Sequence, residues 1–245
     1  MIVPEFRHHA GVQERPRPRL CQCSTRLVIL LGAPGSGKGT QAKRIAGQYR
    51  FRQLSTGDML RDNLSRPTEL ARKAKAFMDR GELVPDDIVL GMVQERLAQS
   101  ERAAGFVLDG FPRTVQQAQT LETLCRSYES RSTIVLNFVV PPELLVARLT
   151  NRRICTMNGH IYNLIDRPPI HPGICDADGS ELIRRPDDNE DVIRVRLRAY
   201  ERQTVPLIDH YSAQGMLHEI EAMGDPEMVT TNIARVLDNS ANAKG

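Results

Sequence analysis

The sequence predicts an α/β fold built on a parallel sheet, and three observations carry that expectation. An apolar run, Leu27-Val28-Ile29-Leu30-Leu31, leads into Gly32-Ala33-Pro34-Gly35-Ser36-Gly37-Lys38-Gly39-Thr40, and a helix-like segment begins near Gln41. A second short apolar run, Phe106-Val107-Leu108, ends in a carboxylate, Asp109. Around them, candidate strands alternate with candidate helices, the pattern of a parallel sheet covered by helices on both faces.

The first strand and its loop have the context of a P-loop: strand, glycine-rich turn, helix. Glycines let successive backbone N–H groups point inward, so the loop and the helix N-terminus cradle phosphate oxygens. Lys38 then reaches the β- and γ-phosphates as a mobile point charge. The residue after the lysine is Gly39 and the hydroxyl comes one later, at Thr40, so the usual magnesium-ligand position is shifted or lost.

Arg52-Gln53-Leu54 reads as a short strand, and Ser55-Thr56-Gly57-Asp58 as a turn and helix cap. A helix is expected from about Thr68 to Arg80, and Asp86 and Asp87 are expected to cap another through Leu97. Asp109 closes the next strand, and chemistry in open α/β sheets gathers at such carboxyl ends. It is placed to hold magnesium, directly or through water, as a Walker B acid does. A helix to about Arg126, a strand from Thr133 to Val140, and a helix from about Glu143 follow. Residues 151–188 lose helical periodicity and are rich in Pro, Gly, Asp, Asn and His, which reads as an inserted subdomain. A long helix resumes near Asp188, interrupted near Pro206; a strand at Met216–Ile220 and a helix from Asp225 to Leu237 end the pattern.

The bulk numbers narrow the function. The chain has 245 residues, room for one α/β domain with insertions or two small ones. A net charge of +3 is too weak to imply nucleic-acid or membrane binding, and 4% aromatics with no Trp argues against base-stacking surfaces. No apolar run approaches membrane-spanning length. The five cysteines are odd in number, so a reducing compartment is expected rather than a disulfide framework. Residues 1–24 carry four arginines and three prolines without apolar period, and read as a disordered basic extension; a mitochondrial transit peptide is the alternative, opposed by Glu5, Glu14 and the prolines.

The combined motifs resemble those of the adenylate kinases of the long-lid type. The pieces that carry the resemblance are the P-loop through Gln41, Ser55-Thr56-Gly57-Asp58-Met59-Leu60-Arg61, Leu83-Val84-Pro85-Asp86, Leu108-Asp109-Gly110-Phe111-Pro112-Arg113-Thr114, Asn151-Arg152-Arg153 and Arg185-Pro186-Asp187-Asp188. Lys-Gly-Thr is that family's own form of the P-loop. The resemblance implies a three-layer P-loop kinase fold: a core at residues 25–54, 85–150 and 189–240, an AMP-binding helical insertion at 55–84 and a lid at 151–188. It implies the reaction ATP + AMP ⇌ 2 ADP with Mg²⁺, in a cytoplasmic monomer that maintains adenine nucleotide balance.

Residue by residue, the resemblance implies that Gly35, Ser36, Gly37, Lys38, Gly39 and Thr40 hold ATP phosphates. Arg148, Arg152, Ile161, Tyr162 and Gly224 would complete the donor site. Thr56, Arg61, Glu82, Leu83, Val84, Gly110, Phe111, Pro112, Arg113 and Gln117, with Arg185 and Arg196, would form the AMP site. Lys38, Asp109, Arg113, Arg152, Arg185 and Arg196 would be catalytic. Zinc-bearing members carry four lid ligands at the spacing of Cys155, Asn158, Cys175 and Asp178. A carboxamide is a poor zinc ligand, and His160 and His171 are off the pattern, so a metal-free lid is expected. A GTP:AMP phosphotransferase of the same family and a non-catalytic nucleotide-binding module are the competing readings.

Overall fold

A computed structural model describes residues 26–64, 69–98, 104–127 and 132–242. The expectations for residues 1–24 and for the helix start near Thr68 lie outside them. The chain runs β1 (Arg26–Gly32), α1 (Lys38–Tyr49), β2 (Arg52–Ser55), α2 (Thr56–Leu64), α3 (Glu69–Asp79), α4 (Asp86–Ala98), β3 (Gly105–Asp109), α5 (Val115–Ser127) and β4 (Ser132–Val139). It continues with α6 (Pro142–Thr150), β5 (Arg152–Cys155), β6 (Ile161–Asn163), β7 (Leu182–Ile183), α7 (Glu190–Ala199), α8 (Pro206–Ala213), β8 (Leu217–Glu221) and α9 (Pro226–Asn242).

Five strands form one parallel sheet in the order β2-β3-β1-β4-β8. Burial on both faces explains why β1 is apolar at every position from Leu27 to Leu31. Leu27, Ile29 and Leu31 enter one core with α4, α5 and α8, whereas Val28 and Leu30 enter another with α1 and α9. A sheet between two helical layers is the fold of the P-loop kinases, as the alternation of elements predicted.

The parallel register brings the carboxyl ends of β1, β2 and β3 level: Asp109 pairs with Leu30 on one side and Ser55 on the other. The loops that leave these ends meet above the sheet, at the crevice between β1 and its neighbours. Beyond α6 lies a three-stranded antiparallel sheet, β6-β5-β7, with its own small core of Cys155, Tyr162, Cys175 and Leu182.

Three local features depart from the sequence pattern. Helix α9 extends past Leu237 to Asn242. Asp86 begins α4, yet its carboxylate accepts hydrogen bonds from Gln117 Nε2 (2.6 Å) and Thr114 Oγ1 (3.4 Å) rather than serving only its own helix. The expected break near Pro206 is a π-helical turn, Tyr200–Thr204, with the Val205 N–H bonded to the Tyr200 carbonyl at 3.0 Å. Proline has no N–H to continue the ladder, and the widened turn accommodates that loss. It also presents Thr204 to the site, where its hydroxyl donates to the Arg113 carbonyl at 3.0 Å.

Candidate functional site

The P-loop curls between β1 and α1 with Gly37 at φ 92° as the residue before the helix. A left-handed backbone there suits glycine and turns the following N–H groups inward. Lys38 Nζ donates to the carbonyls of Gly32 (2.6 Å) and Ala33 (2.8 Å) and to Ser36 Oγ (3.2 Å). Burial draws its ammonium down to about 8; Asp109 opposes that shift, and Arg113, Arg196 and Arg152 add to it. A Cβ on residue 39 would stand 3.2 Å from Asp109 Oδ2. That close approach accounts for glycine after the lysine and for a hydroxyl displaced to Thr40.

Asp109 lines the same cleft as the P-loop, and its carboxylate makes no hydrogen bond to any described residue. Burial raises its pKa, with Lys38 pulling the other way. A carboxylate oxygen set free of protein donors and turned toward a phosphate cradle fits a hydrated magnesium ion, which keeps several waters and binds through one or two carboxylates.

The guanidinium groups fall into two kinds. Arg113 Nε donates to the Gly110 carbonyl (2.8 Å), and its backbone N–H donates to Gln117 Oε1 (2.7 Å). Burial, then Arg196, draws its pKa down to about 10, yet a guanidinium stays charged at any working pH. Gly110, at φ 78°, is required here: a Cβ would meet Thr56 Oγ1 at 3.0 Å and Arg113 Nη2 at 3.1 Å. Arg152 and Arg196, by contrast, are held by carboxylates. Arg152 Nε donates to Asp188 Oδ2 (2.8 Å), and Arg196 Nη1 to Asp187 Oδ2 (3.0 Å) and Asp188 Oδ1 (3.4 Å). Asp188 is fully buried, and its backbone carbonyl accepts from Arg184. Arg185 lies 3.8 Å from Asp58, which also pairs with Arg61 at 2.6 Å. Burial, then Arg61 and Arg152, draws Arg185 down to about 9.

These groups line a cleft of about 1490 Å³. Gly35 to Thr40, Asp109, Arg113, Arg148, Arg152, Arg185 and Arg196 all face it, as do Ile161, Tyr162 and Gly224. A smaller cavity of about 70 Å³ adjoins it, lined by Thr56, Arg61, Glu82, Leu83, Val84 and Gln117. Arg113, Arg196, Arg61 and Gly110 line both, so they stand at the junction.

Two expected contacts sit differently from the rest. Phe111 lines neither cavity; it is 1% exposed and packs into the core beneath α5. Tyr162 lines the cleft by its body but turns its hydroxyl into the small sheet, where it accepts from the Asp176 N–H at 2.9 Å. Asp58, Asp187 and Asp188 were given no site role from sequence, although each stands in a quoted motif. The alternation of Arg and Asp in Arg185-Pro186-Asp187-Asp188, and Asp58 three residues before Arg61, were the available signals.

In the small sheet, two similar turns face each other, Cys155 to Gly159 and Cys175 to Gly179, each closed by the glycine N–H on the cysteine carbonyl (3.1 and 2.9 Å). Asn158 Nδ2 donates to Asp178 Oδ2 at 2.7 Å, and Lys43 Nζ from α1 reaches the Gly159 carbonyl at 2.9 Å.

A phosphate cradle, a strand-end carboxylate beside it and guanidinium groups converging on one cleft define a P-loop nucleotide-binding protein of the phosphotransferase kind. A family model described as "Adenylate kinase" matches residues 30–216. The chain is 47% identical over 211 residues to a protein named "Adenylate kinase" from Archaeoglobus fulgidus, covering 86% of this chain and 97% of that relative. It is 47% identical over 211 residues to one of the same name from Thermodesulfovibrio yellowstonii (86% and 98% covered), and 44% over 210 residues to one from Bacillus subtilis (86% and 97%). The chain belongs to the adenylate kinase family.

Proposed function

We propose that the chain transfers the terminal phosphoryl group of ATP to AMP, reversibly, giving two ADP. The observation that carries this reading is the junction described above. A P-loop cleft and a smaller cavity meet at Arg113 and Arg196, where a group passing from one nucleotide to the other would lie.

The chemistry asks the protein for alignment and positive charge more than for covalent steps. Two polyanions must be brought together and their repulsion cancelled. Gly35 to Thr40 hold the donor phosphates through backbone N–H groups, with Lys38 as the mobile charge. Arg148, Ile161, Tyr162 and Gly224 line the donor end. Thr56, Arg61, Glu82 to Val84, Gly110 to Arg113 and Gln117 make the AMP end, Phe111 by supporting the loop from the core. Arg113, Arg152, Arg185 and Arg196 surround the equatorial oxygens of the moving phosphoryl group. Asp109 would hold a magnesium ion, directly or through water, and that ion would supply further charge against the donor phosphates. An oxygen of the AMP phosphate attacks the γ-phosphorus, and the bond to the β-bridging oxygen breaks, leaving ADP on both sides.

Within this reading, residues 55–84 are the AMP-binding insertion and residues 151–188 the lid, which excludes water before transfer. The enzyme works as a monomer on small nucleotides in the cytoplasm. The free thiols of Cys125, Cys155 and Cys175 support a reducing compartment. Among the described residues, no helix is long and apolar enough to cross a membrane.

The test is ADP formation by the purified chain with magnesium, crossing ATP and GTP against AMP, CMP and UMP. ATP with AMP is expected to give the highest kcat/KM. A preference for GTP makes it the GTP:AMP enzyme of the same family. No turnover with any pair, from folded protein that binds nucleotide, makes it a non-catalytic module.

A further inference from the structure

The Gln117 side chain is buried at the edge of the smaller cavity, and both ends of its amide are tied. Nε2 donates to Asp86 Oδ1 at 2.6 Å, and Oε1 accepts the Arg113 N–H at 2.7 Å. These partners cannot exchange roles. A carboxylate only accepts and a peptide N–H only donates, so the nitrogen must face Asp86 and the oxygen must face Arg113. Turning the amide over would set oxygen against carboxylate and nitrogen against N–H, leaving buried groups without partners. Thr114 braces the arrangement: its hydroxyl accepts the Gln117 N–H at 3.2 Å and donates to Asp86 Oδ2 at 3.4 Å.

A carboxamide has two N–H donors and an oxygen with two lone pairs. Among the described residues, Asp86 and the Arg113 N–H take one of each. One donor and one acceptor remain, in fixed places where the side chain lines the cavity. Adenine offers the complement, its N6 amino donor beside a ring-nitrogen acceptor. A 6-oxopurine puts the acceptor O6 where adenine has that donor, opposite the Gln117 oxygen. Leu60, Val84 and Val89, all buried, give the cavity an apolar wall suited to a flat base.

We propose that Asp86 is a positioning residue that sets base selectivity. By fixing the Gln117 amide in one orientation, it makes the acceptor cavity take 6-aminopurine monophosphates and refuse 6-oxopurine ones. The inference rests on the reading of this cavity as the AMP end. Asp86, the first residue of α4, lines neither cavity and acts only through Gln117. Its share of the lock is the larger one. A hydrogen bond to a charged group is about twice as strong as a neutral one, and the Arg113 N–H supplies only the neutral bond.

The test measures kcat and KM for AMP and for inosine monophosphate, with ATP and magnesium, in the full chain. The wild type is expected to favour AMP at least about a hundredfold in kcat/KM, since a site built on paired polar groups rejects a mismatched analogue strongly. In Asp86→Asn the new side chain is nearly the same size, and its own amide can turn to follow either orientation of Gln117. The AMP-to-inosine-monophosphate ratio should therefore narrow at least about tenfold, the worth of one charged hydrogen bond. The change should come from a higher KM for AMP and a higher kcat/KM for inosine monophosphate, with KM for ATP unmoved. Asp86→Ala should shift the ratio the same way, and it carries the test if circular dichroism shows Asp86→Asn to be unfolded. A carboxylate that merely starts α4 would, on removal, lower both acceptors together and leave the ratio as it was; that result overturns the proposal. So does a wild type that treats the two acceptors alike. AMP turnover with an unmoved ratio in the variants removes this inference alone, whereas a wild type that turns over no AMP removes the proposed function with it.

Discussion

Lys38 and Arg113 are fastened by backbone carbonyls, whereas Arg152 and Arg196, lining the same cleft, are fastened by the carboxylates of Asp187 and the fully buried Asp188. The two arrangements differ in what they leave over. A carbonyl orients a cation without cancelling its charge, so Lys38 and Arg113 project a net positive field, and burial pulls both pKa values down. A carboxylate fixes position and cancels charge together. One pair thus supplies field for incoming phosphates, and the other supplies geometry.

The largest effect should come from the carbonyl-held side. Lys38→Met is expected to lower turnover at least about a hundredfold, as loss of one charge-stabilising donor does. Its thermal midpoint should change little, because the penalty for burying the Lys38 charge is removed while Asp109 loses the cation that offsets its own burial. A variant that unfolds more readily while keeping turnover would reverse the comparison.

Asp188→Ala attacks the other side. It strips the shared counter-charge from Arg152 and Arg196, and breaking one member of a buried pair costs about 3–5 kcal/mol. Urea denaturation should show that loss. A change below about 1 kcal/mol would mean the carboxylate does not anchor these arginines.

The smallest effect is a proton count. Burial draws the Lys38 ammonium down to about 8 in the folded protein from its ordinary 10.5, so between those values the unfolded chain binds more protons. Its contribution to stability therefore rises with pH from about 8 to 10.5, and the penalty for the buried charge is fully present below 8. Bound phosphates favour the ammonium. ATP binding at pH 8.5 should take up a fraction of a proton, and at pH 6.5 essentially none, by calorimetry in buffers of differing ionisation heat. Equal uptake in Lys38→Met would assign the proton elsewhere.

Much of this was legible in the sequence because the signals are local. β1 reads as apolar since both sheet faces are covered, and Gly37-Lys38 and Asp109 sit at strand ends where a motif can be seen in a few residues. What could not be read depends on which chain segments meet. Phe111 belongs to a motif of cleft residues, yet parallel pairing of β3 with β1 places it in the core. Gln117 engages Asp86, thirty-one positions away, at 2.6 Å. His160 lies outside the quoted spacing, yet after the left-handed Gly159 its Nδ1 stands 3.3 Å from Cys175 Sγ. The carboxylates Asp187 and Asp188 look like a helix-capping pair in a row, but the return of the chain at α7 makes them the seat of two arginines.

The most direct measurement is single-turnover transfer in Arg113→Ala, with AMP and ATP binding followed separately. The expected result is a phosphoryl-transfer rate lowered at least about a hundredfold in folded protein, well beyond any loss of nucleotide affinity. A variant that transfers phosphate at nearly the wild-type rate, with its fold intact, would contradict the claim that cations converging between the two cavities carry the reaction.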